Sequence, residues 1–151
     1  MKSVIKLLFL FVVFTSVLTA CSKEQKIENK LVRGSGKWNI RKLNKSSNSN
    51  YIGEYLDAGS FEFHKDKTIV KILNFWPKTT TETGTWINDE DKITVTWSDG
   101  KTTVFYITRD PKKDKMTLYE TYTVTTFTGW GGPGSHTTTK YVYDYYLERA
   151  H

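Results

Sequence analysis

From Gly36 onward the chain alternates short runs of β-branched and aromatic residues with clusters of turn residues, and no convincing helical pattern interrupts the series. Alternation with a period of two places every second side chain on one face of a strand. The clearest case is the run 92–98, where Ile93, Val95 and Trp97 oppose Thr94, Thr96 and Ser98. The same reasoning predicts strands over 37–44, 59–64, 68–75, 83–88, 92–98, 102–109, 115–127 and 139–149. Trp38 and Ile40 share a face of the first, and Phe61 and Phe63 share a face of the second.

The connections decide the topology. Residues 64–67, 88–91, 99–100 and 110–114 have the composition of tight turns. Asp99-Gly100 is the strongest signal, because a two-residue hairpin turn needs positive φ at both central positions. Hairpin after hairpin gives a meander without crossover helices. The expected fold is therefore all-β: an eight-stranded up-and-down barrel, in which closure removes exposed edges. Alternating strand direction puts the turns 65–67, 89–91 and 110–114, all short, at one end. The connections 45–58, 76–82, 99–101 and 128–138 fall at the other, and three of these four read as long loops. They carry Trp76 and Trp130, so this end is expected to form a mouth.

The N-terminus is of a different kind. Lys2 and Lys6 precede an apolar run over 7–18, broken only by Thr15 and Ser16. Twelve helical residues rise about 18 Å, well short of a roughly 30 Å hydrocarbon core, so the segment reads as a secretion signal. Leu18-Thr19-Ala20-Cys21 resembles the lipobox of bacterial lipoproteins. That resemblance implies acylation of the Cys21 thiol, palmitate being one chain such a cysteine carries, and cleavage between Ala20 and Cys21. The chain has a single Cys, which leaves no intramolecular disulfide partner for it. The expected divisions are a signal over 1–20, a lipidated Cys with a flexible tether over 21–33, and a barrel domain over 34–151. A short helix over 24–31 is the alternative for the tether. The expected location is the cell envelope, lipid-anchored at the outer membrane, with the leaflet open.

Charge excludes one function class. The formal net charge is +6, but two of those charges are the lysines of the signal. From Gly34 onward basic and acidic residues nearly balance, so a nucleic-acid partner is not expected. The basic tether suits anionic lipid headgroups instead.

Four motifs in order carry a further resemblance: Gly36-Lys37-Trp38, Phe61-Glu62-Phe63-His64-Lys65-Asp66, Gly84-Thr85-Trp86 and Lys92-Ile93-Thr94, with Lys115-Met116-Thr117-Leu118 beyond them. The chain over 34–149 is similar to the lipocalin-like domains of Bacteroidetes lipoproteins. It departs from their pattern at Asp66-Lys67 and in its long Tyr/Thr-rich final hairpin, which leaves full or partial barrel closure open. The resemblance implies a calycin-type barrel, capped at its closed end by Trp38 packed against Arg149 in a cation–π contact.

Residues that could carry chemistry are sparse. His64, His136 and His151 are dispersed and the barrel region has no Cys, so neither a metal nor another cofactor is expected. No serine sits in a nucleophile elbow, and a non-enzymatic protein is expected. Glu120 shares strand parity with Met116, Leu118, Tyr122 and Val124. Either a bulge turns it outward, the expected reading, or it faces the interior and needs a partner. Six tyrosines, among them Tyr122, Tyr141 and Tyr143, crowd the last hairpin, as cross-strand pairs or as contacts for an amphipathic ligand. The leading expectation is binding of a small apolar or amphipathic ligand at the mouth by Trp76, Trp130, Tyr122 and Tyr143. The alternative is an envelope or surface interaction module that uses the Tyr-rich hairpin to hold another protein.

Overall fold

The computed structural model describes residues 22–48, 50–75, 77–112, 114–128 and 135–151. One helix, α1 (Lys23–Leu31), precedes eight strands: β1 (Lys37–Ser47), β2 (Asn50–Phe63), β3 (Thr68–Phe75), β4 (Lys78–Asp89), β5 (Lys92–Trp97), β6 (Thr102–Lys112), β7 (Lys115–Thr128) and β8 (Ser135–Arg149). Every strand pairs antiparallel with its neighbours in sequence, and β8 returns to β1 from Trp38↔Arg149 to Ser47↔Tyr141. The barrel is closed. That answers the question raised by the long final hairpin.

Several strands are longer than their sequence suggests. The expected loop 45–58 is a tight hairpin of β1 and β2, turning where Asn48 has a φ of 46°. Most of the expected loop 76–82 is strand, because β4 begins at Lys78, which pairs with Phe75. In both stretches most side chains on either face are exposed, so alternation is absent although the backbone is paired. The mouth is therefore framed by projecting hairpins instead of loops. β2 pairs with β3 only from Gly59↔Leu73 to Phe63↔Ile69. The β6–β7 pairing ends at Phe105↔Glu120, while β7 and β8 stay paired to Thr128↔Ser135. Strands β7, β8, β1 and β2 thus run on together beyond the rim of the others. Gly59 makes the departure of β2 possible: its φ is +135° and a Cβ there would lie 1.9 Å from the Ile72 carbonyl oxygen.

The expected flexible tether is largely α1, which closes the short-turn end. The Ser22 hydroxyl caps its N-terminus by accepting from the Gln25 N–H at 3.2 Å. Ile27 and Leu31, one turn apart, are buried in the barrel core. Two apolar positions are too few to announce a helix by pattern alone; the barrel end supplies the surface that stabilises it. Trp38 Nε1 donates to the Leu31 carbonyl at 3.0 Å. Arg149 donates to the carbonyls of Lys30 (2.6 Å) and Arg33 (2.5 Å), and its guanidinium carbon lies 4.3 Å from the Trp38 ring centroid. A cation on the last carbonyls of a helix is also favourable to its dipole.

Above this cap the interior is filled by side chains. Phe61, Phe105 and Tyr145 meet edge to face with centroids 5.3–5.9 Å apart, and Phe63 stands edge-on to Trp86 at 5.4 Å.

Candidate functional site

Inward-facing residues change character towards the mouth. On β3 the inner face reads Ile69, Lys71, Leu73, Phe75, so an apolar series is interrupted by one ammonium. The Lys71 side chain is only 8% exposed. Its cross-strand partner is Glu82 on β4, at 2.5 Å, and its Nζ stands 4.6 Å from the centroid of Trp97. Trp97 Nε1 in turn donates to Thr103 Oγ1 at 2.8 Å.

Glu120 faces inward, which corrects the expectation of an outward bulge. The β7–β8 ladder is regular through it, pairing Glu120 with Tyr143, so its parity with Leu118 is kept. The Tyr145 hydroxyl donates to Glu120 Oε2 at 2.7 Å. Burial pushes the Glu120 carboxyl up from the usual carboxylate range, against the opposing effects of the Tyr145 hydrogen bond and the Lys71 charge. Burial, with the Glu120 charge next, also raises Tyr145 well above an ordinary phenol.

Aromatic walls rise above this polar layer. Tyr122 stacks on Tyr141 (5.0 Å, 15°) and on Tyr143 (5.5 Å, 13°), and the Tyr122 and Tyr143 hydroxyls share a hydrogen bond at 3.2 Å. Burial and that hydrogen bond push Tyr122 up to about 12. Lys45 Nζ lies 5.1 Å from the Tyr141 centroid and 5.6 Å from that of Tyr143. On the β2–β3 side, Tyr55 meets Phe75 edge to face at 5.0 Å. Tyr122 remains 37% exposed and Tyr55 36%, so these rings offer apolar surface to whatever enters.

The structure brings Tyr122 and Tyr143 together. Trp76 and Trp130 lie outside the described residues, as do Ala20 and Cys21. Trp38 and Arg149 are at the opposite end, in the cap. There a cleft of about 630 Å³, lined by Arg33, Asp114, Arg149 and His151 among others, lies at the chain terminus, remote from the mouth. Lys45, Lys71 and Glu82 also belong to the site, and the sequence pattern alone does not single them out. Lys71 comes nearest, as a charge at the inner parity of an otherwise apolar strand. Glu82 could be found only from its register opposite Lys71. Among the described residues no three His, Cys, Asp or Glu side chains gather as metal ligands would.

Solved structures similar to this chain include a lipocalin-like protein from Bacteroides uniformis, 11% identical, with a TM-score of 0.45, the match covering 76% of this chain and 96% of that one. Another is an uncharacterised protein from Bacteroides eggerthii, 15% identical, with a TM-score of 0.42 and coverages of 73% and 97%. No protein-family model matches the chain, and no curated protein matches it by sequence.

Proposed function

We propose that this is a lipid-anchored envelope protein whose barrel binds, without catalysis, a small amphipathic ligand at its mouth. The observation that carries the reading is the inward-facing polar layer of Lys71, Glu82 and Glu120 beneath half-open tyrosine walls. Placing charged groups inside a barrel is costly, and well-packed apolar residues would serve stability as well or better. A few polar groups converging under aromatic walls is the make-up of a site that holds an apolar body and orients a polar head. The filled interior below sets the depth of entry: the ligand sits at the mouth and does not thread the barrel.

Cys21, as the anchored residue, would immediately precede the capped start of α1. The closed end would then lie next to the bilayer, with the mouth facing away from it. Native mass spectrometry against fatty acids, fatty alcohols and alkylamines tests the binding. The expected result is a one-to-one complex that Tyr143→Ala weakens at least tenfold, in line with the roughly 1.5 kcal/mol of a buried aromatic contact. No complex with any of the three classes would overturn the reading.

A further inference from the structure

The balance of charge around the mouth specifies the head of the ligand, an inference that rests on the binding reading above. Lys71 is cancelled by Glu82 at 2.5 Å. Glu120 is engaged by the Tyr145 hydroxyl, and its burial disfavours the charged carboxylate. Lys45 is different. It lies on β1 opposite Gly53 on one side and Tyr143 on the other, so no neighbouring strand places a carboxylate across from it. Among the described residues its ammonium meets no carboxylate; it rests on the Tyr141 and Tyr143 rings.

The other carboxylates of strands β1, β2 and β8 near this wall or below it are committed elsewhere. Glu54 is paired with Lys42 at 2.6 Å, and Asp57 and Glu148 are both paired with Arg41. Asp144 pairs in register with Asn44 and Tyr119, the side of the sheet opposite Lys45, Glu120 and Tyr143. Once these pairs are set aside, the Lys45 ammonium remains among the described residues at the tyrosine wall without a carboxylate, beside a hydrogen-bonded pair of phenol hydroxyls that keeps one proton free to donate.

We infer that Lys45, with the hydroxyls of Tyr122 and Tyr143, forms a subsite for the anionic head of an amphiphile, a carboxylate or sulfate, whose apolar body lies along Tyr55, Leu73 and Phe75. An ammonium partly desolvated against aromatic rings forms a stronger ion pair than one in open water, and the remaining hydroxyl proton of the Tyr122–Tyr143 pair can donate to the anion beside it. A cationic head would meet Lys45 as a like charge.

Photoreactive analogues of dodecanoate, dodecyl sulfate, dodecanol and dodecylammonium, offered to the full chain in nanodiscs, test the subsite. Labelling of peptides containing Tyr122 or Tyr143 is read by mass spectrometry. Both anions are expected to label at least tenfold more efficiently than the amine, with the alcohol between. Lys45→Gln is expected to bring the anions down to the level of the alcohol and to leave the alcohol unchanged. Equal labelling by all four heads, or an anion preference that survives Lys45→Gln, overturns the subsite while the binding reading stands. Labelling by none of the four overturns both.

Discussion

At the residue scale, two buried polar groups have opposite consequences. Glu120 is held in a folded environment that raises its carboxyl above the unfolded value, so folding disfavours its ionisation. Such a group leaves stability untouched below the unfolded carboxylate range and lowers it as pH rises through the window between the unfolded and folded values. Glu120→Gln keeps an acceptor for the Tyr145 hydroxyl and removes the titration. Urea midpoints followed from about pH 4 to about pH 7, spanning ordinary and raised carboxylates, are expected to move in the variant's favour as pH rises. A constant gap between the two chains would show that Glu120 ionises freely. Arg149 is the contrasting case, a buried charge held against the Trp38 ring and donating to the carbonyls of Lys30 and Arg33. Arg149→Ala is expected to cost about 2–4 kcal/mol, from the lost charge-assisted hydrogen bonds and the cation–π contact. An unchanged melting temperature would remove it from the cap.

At the scale of elements, α1 and the two long hairpins are where local pattern and final structure part. The helix is nine residues long and too short to persist alone in water. Its stability comes from Ile27 and Leu31, exposed 3% and 0%, and from its ties to Trp38, Arg149 and Asn88. Leu31→Ala is expected to destabilise the whole fold by about 2–5 kcal/mol, the range for a truncated core leucine. Measured by denaturant unfolding, a loss below about 0.5 kcal/mol would mean that α1 is peripheral. The strands with clean alternation, β5 above all, are legible in the sequence because one of their faces is buried and the other is not. The segments 50–58 and 78–82 are not, because exposure on both faces erases the period that marks a strand.

For the whole molecule, the cap at one end and the tyrosine walls at the other give the barrel a polarity. The proposed anchor at Cys21 would turn that polarity into an orientation on the membrane. Growth with labelled palmitate is expected to label the native chain, while Cys21→Ser abolishes the label and releases the protein from the membrane fraction. Label retained in Cys21→Ser, or a native chain that never acquires it, would count against the anchor. The contact of Trp38 with Arg149 is implied by the family resemblance, parity adding only that the two lie at one end. The meander and the clustering of Tyr122 with Tyr143 follow from period-two patterning, turn chemistry and strand parity. Those are local properties, and alternate side chains on paired strands must share faces. What only the tertiary structure decided is register and supply: Glu82 meets Lys71 because β3 and β4 pair at that offset, Glu120 faces inward because the β7–β8 ladder runs without a bulge there, and residues 23–31 become a helix because the barrel end offers them somewhere to bury. Each depends on a surface or a partner distant in sequence, and so it leaves no period to read along the chain.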